Sequence, residues 1–304
     1  MTAHRTPRTL IMGILNITPD SFSDGGQYDD APAALAHAQQ LISEGADILD
    51  IGGESTRPGA EPVDPQTEQQ RILPVLEQLL ELDVRLSLDT RHPATARAAL
   101  ELADSRAPEL IINDVSGLLT DPQMPAVVAE FGCEVVITHN RGDSQTMQQR
   151  SDYQDLLGEV RQELKQIRQL YLDAGVQRDR IILDPGIGFA KTPEQNWQLT
   201  AAQLGEFISS GHRVLLGVSR KGFLGALLAD AQGTPRPPAG RDTVTAILSA
   251  HAASLGCWAV RVHNVQASDD AVRLASHLGS GYAWTPIPDP DGSAAVDYVD
   301  RGWG

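Results

Sequence analysis

Cysteine is almost missing from this chain of 304 residues, which has only Cys133 and Cys257. Each sits in or beside an apolar run, as reduced core thiols do, and a disulfide scaffold is not expected. Long hydrophobic runs are also lacking. No stretch approaches the ~20 apolar residues that cross a bilayer, so no membrane partner is expected. Positive charge is in deficit, with 24 Lys and Arg against 40 Asp and Glu and a formal net charge of −16. That balance argues against a nucleic-acid partner, which needs a basic face. It does not argue against small anions, because a local cluster of Arg and Lys can override the mean field. No His/Cys cluster has zinc spacing, and the run GESTRPG lacks the GxxxxGK[ST] of a phosphate-binding loop. The basic N-terminus, Met1 to Arg8, runs into strand-like rather than signal-like sequence. A soluble, cytoplasmic protein is the expectation.

What is present is a rhythm. Eight short apolar runs each end on polar or charged residues: Leu10–Leu15, Ile48–Ile51, Val84–Leu88, Leu110–Ile112, Val135–Thr138, Ile181–Leu183, Val214–Val218 and Trp258–Val260. Between them lie segments with helical periodicity, at 30–44, 65–80, 93–103, 122–131, 152–173, 194–208, 242–255 and 268–278. Strand-then-helix repeated eight times predicts an α/β fold, a (β/α)8 TIM barrel. Such barrels take roughly 250 residues, and their chemistry sits at the carboxyl ends of the strands. The chain divides accordingly into an N-terminal extension (1–8), a barrel (9–280) and an irregular tail rich in Gly, Pro and Asp (281–304). Two glycine-rich loops, 16–28 and 52–63, follow strands directly and would lie over the barrel mouth as lids. Segment 231–240 reads as a proline-rich loop.

The residues that end the strands are therefore candidates for a site. Asp89 and Asp184, with the amide Asn113, would converge in one mouth. A carboxylate there can accept two parallel N–H bonds from the edge of a flat polar ring such as a pterin or purine. Taken singly, each also fits a helix cap. Arg57, Arg220, Lys221 and Arg261, with His263, are cations at strand ends and suit an anion such as phosphate or diphosphate. Arg261 and His263 alternate about Val262 and so share one strand face. Asn16 offers an oxygen of the kind that holds Mg²⁺ together with diphosphate and water, and equally fits a turn. His139 fits a ligand or a satisfied barrel histidine.

These residues carry a resemblance. The stretch IMGILNITPDSFSDGG (11–26) resembles the first signature of the dihydropteroate synthase family, and GADILDIGGESTRPGAEP (45–62) resembles the second. SLDT at 87–90, INDVSG at 112–117, LDPGIGF at 183–189, GVSRK at 217–221 and RVHN at 261–264 follow in the family's order. The resemblance covers roughly residues 9 to 279 and implies a transferase of folate biosynthesis. Such an enzyme joins 6-hydroxymethyl-7,8-dihydropterin diphosphate to p-aminobenzoate, releases diphosphate through an SN1-like pterin cation, and is a sulfonamide target. By the same resemblance Asp89, Asn113, Asp184 and Lys221 hold the pterin, Phe189 lines its pocket and Arg261 stacks on the ring. Asn16 binds Mg²⁺ and, with Arg57, Arg261 and His263, the diphosphate. Phe22, Asp24, Thr56, Pro58, Ser219 and Lys221 lie near p-aminobenzoate, with Asp24, Asp89, Lys221 and Arg261 closest to the chemistry. A homodimer is implied.

Three positions depart from the family's pattern: Asn140 where Met often follows the strand-5 His, Asn264 where Asp is common, and Gly222 after Lys221. Two other readings compete. One is a methyltransferase of the related pterin-binding barrels, against which the cationic set and the TPDSFSDGG loop argue. The other is a catalytically silent pterin-binding paralogue.

Overall fold

The computed structural model describes residues 8–18, 30–55 and 60–279. Within them eight parallel strands close into a barrel in chain order: β1 (Leu10–Asn16), β2 (Ile48–Gly52), β3 (Arg85–Asp89), β4 (Ile111–Asp114), β5 (Glu134–Thr138), β6 (Ile181–Asp184), β7 (Arg213–Leu216) and β8 (Ala259–Val262). Closure is made by β1 against β8, from Leu10 opposite Ala259 to Gly13 opposite Val262. Each expected strand is present. β7 stops at Leu216, two residues before the expected end.

Period-two alternation sorts the side chains. In β2, Leu49 and Ile51 join the large core between barrel and helices. Ile48 instead joins Met12, Ile111, Val136, Ile182, Leu215 and Ala259 in a small apolar plug inside the barrel. At the amino end the first residues of three alternate strands close the lumen with charge. Glu134 on β5 takes Arg85 of β3 at 2.5 Å and Arg213 of β7 at 2.8 Å, and both guanidinium groups lie over the Trp258 ring. The plug and this charged cluster therefore fill the lumen at the amino end, and the polar strand ends lie at the carboxyl end, where a barrel builds its site.

The outer ring holds α1 (Asp30–Ser43), α2 (Pro65–Leu79), α3 (Pro93–Ala103), α4 (Gln123–Phe131), α5 (Leu156–Asp173), α6 (Pro193–Trp197), α7 (Leu204–Ile208), α8 (Gly222–Leu227), α9 (Asp242–Ser254) and α10 (Val265–Gly279). Their ends follow local chemistry. The Asp64 side chain accepts the N–H of Thr67 at the start of α2, and Asp155 does the same for Gly158 at the start of α5. Because Asp155 is a cap, α5 begins four residues after the expected 152. The expected helix 194–208 is split into α6, a widened turn at Gln198–Ala202 and α7. The wide turn brings residues five apart onto one face, and Leu199 and Leu204 are both fully buried as a result. The short α8 was not expected, because it starts on a glycine. Cys133 and Cys257 are buried free thiols, as expected.

Candidate active site

Above the apolar plug the lumen becomes polar. Two residues further along each strand from plug residues Ile48, Ile111, Val136, Ile182 and Ala259 stand Asp50, Asn113, Thr138, Asp184 and Arg261, on the same inward faces. Arg261 organises one half. Its Nε donates to Asp50 Oδ2 at 2.6 Å, and a terminal nitrogen of its guanidinium donates to Asp89 Oδ2 at 2.7 Å. The Asn113 amide donates toward both oxygens of Asp50 at 3.3 Å. Burial works against the charge on Arg261, but Asp50 and Asp89 outweigh it and hold the guanidinium protonated. Burial pushes the Asp89 carboxyl up to about 7, with Arg261 pulling it back. Ser87 Oγ and Thr138 Oγ1 are buried and have no hydrogen-bond partner among the described residues.

Asp184 and Lys221 organise the other half. Asp184 Oδ1 accepts the N–H of Gly186 at 2.7 Å, and burial raises its carboxyl while Lys221 opposes the rise. The Lys221 ammonium donates to the carbonyl of Ile187 and lies 4.4 Å from the centre of the Phe189 ring. Burial brings it down to about 8 against the pull of Asp184. A methyl group at Gly188 would lie 2.6 Å from the Lys221 chain and push it aside, and the φ of 87° there also favours glycine. Between β7 and β8, the Ser219 hydroxyl accepts the His263 N–H at 3.1 Å and lies 2.9 Å from His263 Nδ1. The Ser219 hydroxyl thus holds the His263 ring and backbone together at the ends of β7 and β8.

The expected residues Asp89, Asn113, Asp184, Phe189, Ser219, Lys221, Arg261 and His263 thus meet at one mouth. Phe22, Asp24, Thr56, Arg57 and Pro58 lie outside the described residues, as do the central parts of both lid loops and the tail 281–304. Arg220 is a correction to the cationic set. It takes a left-handed backbone, with φ of 59°, and forms a two-pronged pair with Asp242 at 2.7 Å, at the start of α9. His139 is a satisfied buried histidine: its Nε2 meets Glu163 at 2.8 Å and its Nδ1 meets Lys191 at 2.9 Å.

The departures are accommodated locally. Asn140 is buried and bonds the carbonyl of Val115 and the N–H of Gly142, tying two loops. Asn264 accepts the N–H of Ala267 at 3.0 Å and caps α10 as an aspartate would. A side chain at Gly222 would meet nothing within 4 Å.

Sequence reasoning missed Asp50 and Lys191. Asp50 stands within an apolar strand run, where a charge persists only if paired. That anomaly, in the run ILDIG, is the signal by which it could have been found.

Asn16, the last residue of β1, bears on the metal. A methyl at Gly52 would lie 3.9 Å from Asn16 Oδ1 and 3.8 Å from Asp89 Oδ2, so both oxygens border the same glycine. Oxygen donors suit a hard cation. Among the described residues no cluster of three His, Cys, Asp or Glu could hold a metal ion. The donor set fits a Mg²⁺ that draws most of its ligands from diphosphate and water.

A closed parallel (β/α)8 barrel with buried carboxylates, an amide and two cations at the carboxyl ends of its strands has the form of a barrel enzyme with a polar site. The chain belongs to the family described as pterin binding enzymes, which it matches over residues 12–263. It is 46% identical over 265 residues to the dihydropteroate synthase of Mycobacterium leprae, covering 87% of this chain and 91% of that one. A Yersinia pestis dihydropteroate synthase solved with a sulfonamide drug complex superposes with a TM-score of 0.80 at 36% identity, over 90% of this chain and 95% of that one. The Xanthomonas albilineans dihydropteroate synthase in complex with 7,8-dihydropteroate gives a TM-score of 0.76 at 35% identity, over 89% and 94%.

Proposed function

We propose that this protein catalyses the dihydropteroate synthase reaction of folate biosynthesis. It condenses 6-hydroxymethyl-7,8-dihydropterin diphosphate with p-aminobenzoate and releases diphosphate. The observation that carries this reading is the convergence of Asp89, Asn113, Asp184, Lys221 and Arg261 on one barrel mouth in a member of this family.

The chemistry follows from charge. The pterin presents N–H donors along one edge, which the carboxylates of Asp184 and Asp89 accept, while Asn113 donates or accepts. The reacting carbon lies beside an electron-rich dihydropterin. Its C–O bond breaks with the electron pair leaving on diphosphate, and positive charge spreads into the ring. Asp50 and Asp89 stand against Arg261 and Asp184 against Lys221, and these carboxylates favour that developing cation. The aryl amine lone pair then forms the C–N bond, and its proton leaves to water. No strong base is required, because an aryl amine is already a competent nucleophile. His263 and Arg57 take the leaving diphosphate, Ser219 fixes the His263 ring, and Phe22, Thr56 and Pro58 complete the p-aminobenzoate site. Mg²⁺ held through Asn16 would neutralise charge on the leaving group. Asp24 would add a further carboxylate to stabilise the cation.

The protein works as a cytoplasmic homodimer. No helix among the described residues is long and apolar enough to cross a membrane. Ile247 on α9 and Leu274 and Leu278 on α10 are exposed apolar side chains on two adjoining helices, which supports self-association.

The test is a coupled assay of diphosphate release by purified protein with pterin diphosphate, p-aminobenzoate and Mg²⁺. Release that depends on both substrates supports the reading. Pterin binding without release points to a silent pterin-binding protein.

A further inference from the structure

Lys191 is 2% exposed, and burial lowers its amine well below the ordinary lysine value against the pull of Asp184. Nζ has three partners: it lies 2.9 Å from His139 Nδ1, 2.9 Å from the carbonyl of Gly186 and 3.0 Å from the carbonyl of Phe189. The two carbonyls belong to the loop after β6, whose backbone is unusual. Gly186, Gly188 and Ala190 take positive φ of 68°, 87° and 47°. A methyl at Gly186 would lie 1.8 Å from the carbonyl oxygen of His139, so this loop is pressed against the end of β5. Ala190 has no such freedom as glycine and is held in place by its surroundings, including the Tyr153 hydroxyl on its carbonyl at 3.0 Å.

The outer side of this loop forms part of the site. Its Ile187 carbonyl receives Lys221, its Phe189 ring lies against the Lys221 ammonium, and Gly188 gives the Lys221 chain its passage. We propose that Lys191 is a positioning residue of the pterin subsite, holding the loop after β6 in the shape that places Lys221 and Phe189 on the pterin. The proposal rests on the pterin reading of this mouth given above. The chemistry of the side chain supports it. An apolar residue could fill the same space, but would leave the Phe189 carbonyl without the Lys191 donor and the Gly186 carbonyl with only the backbone N–H of Phe189 at 3.0 Å, loosening the loop. A buried amine persists only where hydrogen-bond partners surround it, and here two of the three are carbonyls of the loop itself. His139 completes the anchor, because Glu163 fixes its ring from the outer side at 2.8 Å.

The experiment compares Lys191→Met, Lys191→Gln and Lys221→Met in the full-length protein. Calorimetry with 6-hydroxymethylpterin measures pterin binding, steady-state kinetics give the KM of each substrate, and thermal melts monitor folding. Lys191→Met should weaken pterin binding by about tenfold or more, the scale of lost buried hydrogen bonds. The KM for p-aminobenzoate at saturating pterin should rise much less than pterin affinity falls, since of the groups near p-aminobenzoate Lys191 acts only on Lys221, through the loop, and makes no bond to Ser219. Lys191→Gln retains two N–H donors and should recover part of the pterin affinity. The proposal is overturned if folded Lys191→Met binds pterin normally, if both KM values rise together, or if neither Lys191 variant folds, which would make the residue purely structural. Lys221→Met separates this from the underlying reading. Undiminished pterin binding in that variant removes the pterin assignment itself, whereas weakened binding there beside normal binding in Lys191→Met removes only the role of Lys191.

Discussion

Arg261 Nε and Asp50 Oδ2 lie 2.6 Å apart inside the barrel, on strands β8 and β2, which do not touch each other because β1 stands between them. The ion pair therefore fastens two strands across a third. Asp50 has no exposed surface and also receives Asn113. Removing one member of a buried pair leaves an uncompensated group and costs about 3–5 kcal/mol. Asp50→Ala should fall at the low end, about 3 kcal/mol, because Asp89 still holds Arg261. Urea unfolding measures this, and a loss below about 1 kcal/mol, the level of an exposed pair, would show that the pair does not fasten the barrel.

Asp184→Asn should abolish detectable pterin binding in a folded protein rather than merely slow turnover. The amide keeps one acceptor oxygen and turns an N–H toward a ligand edge that already donates. Loss of a hydrogen bond to a charged group is worth about 1.5–3 kcal/mol before the clash of donors is counted. Unchanged pterin affinity by calorimetry would remove Asp184 from the site.

His263→Ala should weaken the diphosphate-bearing substrate about tenfold or more, the scale of a charge-assisted bond. The bare hydroxymethylpterin should be nearly unaffected. Arg261→Ala should show the same preference together with lower stability, since it also abandons Asp50 and Asp89. Equal losses for both ligands in His263→Ala would end its assignment to diphosphate.

Pterin affinity should peak between about pH 7 and pH 8. The ligand needs Asp89 ionised, and burial has raised that carboxyl to about 7, so acidification through 7 removes the acceptor. It also needs Lys221 charged, and burial has lowered that ammonium to about 8, so alkalinisation through 8 removes the donor. From pH 7 to pH 5 the affinity should fall by up to about two powers of ten, one for each pH unit below the carboxyl value. Asp89→Asn should lose the acidic limb and retain the alkaline one. A profile with both limbs intact in that variant would place the acidic titration elsewhere.

Acid should destabilise the fold in two stages through the pair of His139 and Glu163. Burial and the neighbouring Lys191 lower His139 to about 4 from an ordinary value of 6.5. The unfolded chain therefore takes up a proton that the folded one refuses. Its contribution is fully present above 6.5 and is lost as pH falls toward 4, by roughly 3 kcal/mol. Bonds from His139 and Arg141 outweigh burial and hold Glu163 down to about 2, so its contribution is present above 4.5 and is lost as pH falls toward 2. Melting temperatures measured from pH 7 to pH 4 should drop steeply in the unaltered protein and less so in His139→Gln. Parallel curves would assign the acid lability to other groups.

Much of this molecule was legible before any coordinates. Eight apolar runs alternating with helical periodicity suffice for the barrel, because each strand must be buried on both faces and each helix on one. Strand-end residues such as Asp89, Asn113, Asp184 and Arg261 were legible as a site because a barrel brings all its carboxyl ends to one mouth. The same logic could not separate Arg220 from Lys221. The two are adjacent in sequence, and only the left-handed backbone at Arg220 and the position of Asp242 on α9 send one cation outward while its neighbour turns in. Nor could it find the split of 194–208, since a widened turn and a regular helix bury leucines at nearly the same spacing.

The sequence by itself thus determined the elements, their order and the identity of most groups at the mouth, since these depend on local periodicity and on where strands end. Only the tertiary structure decided which charges pair. Asp50 with Arg261, and Lys191 with His139, Gly186 and Phe189, are matched across 211, 52, 5 and 2 residues of chain. Buried charges are fixed by whatever partner the closed barrel brings within hydrogen-bond reach. Distance along the chain carries no information about that.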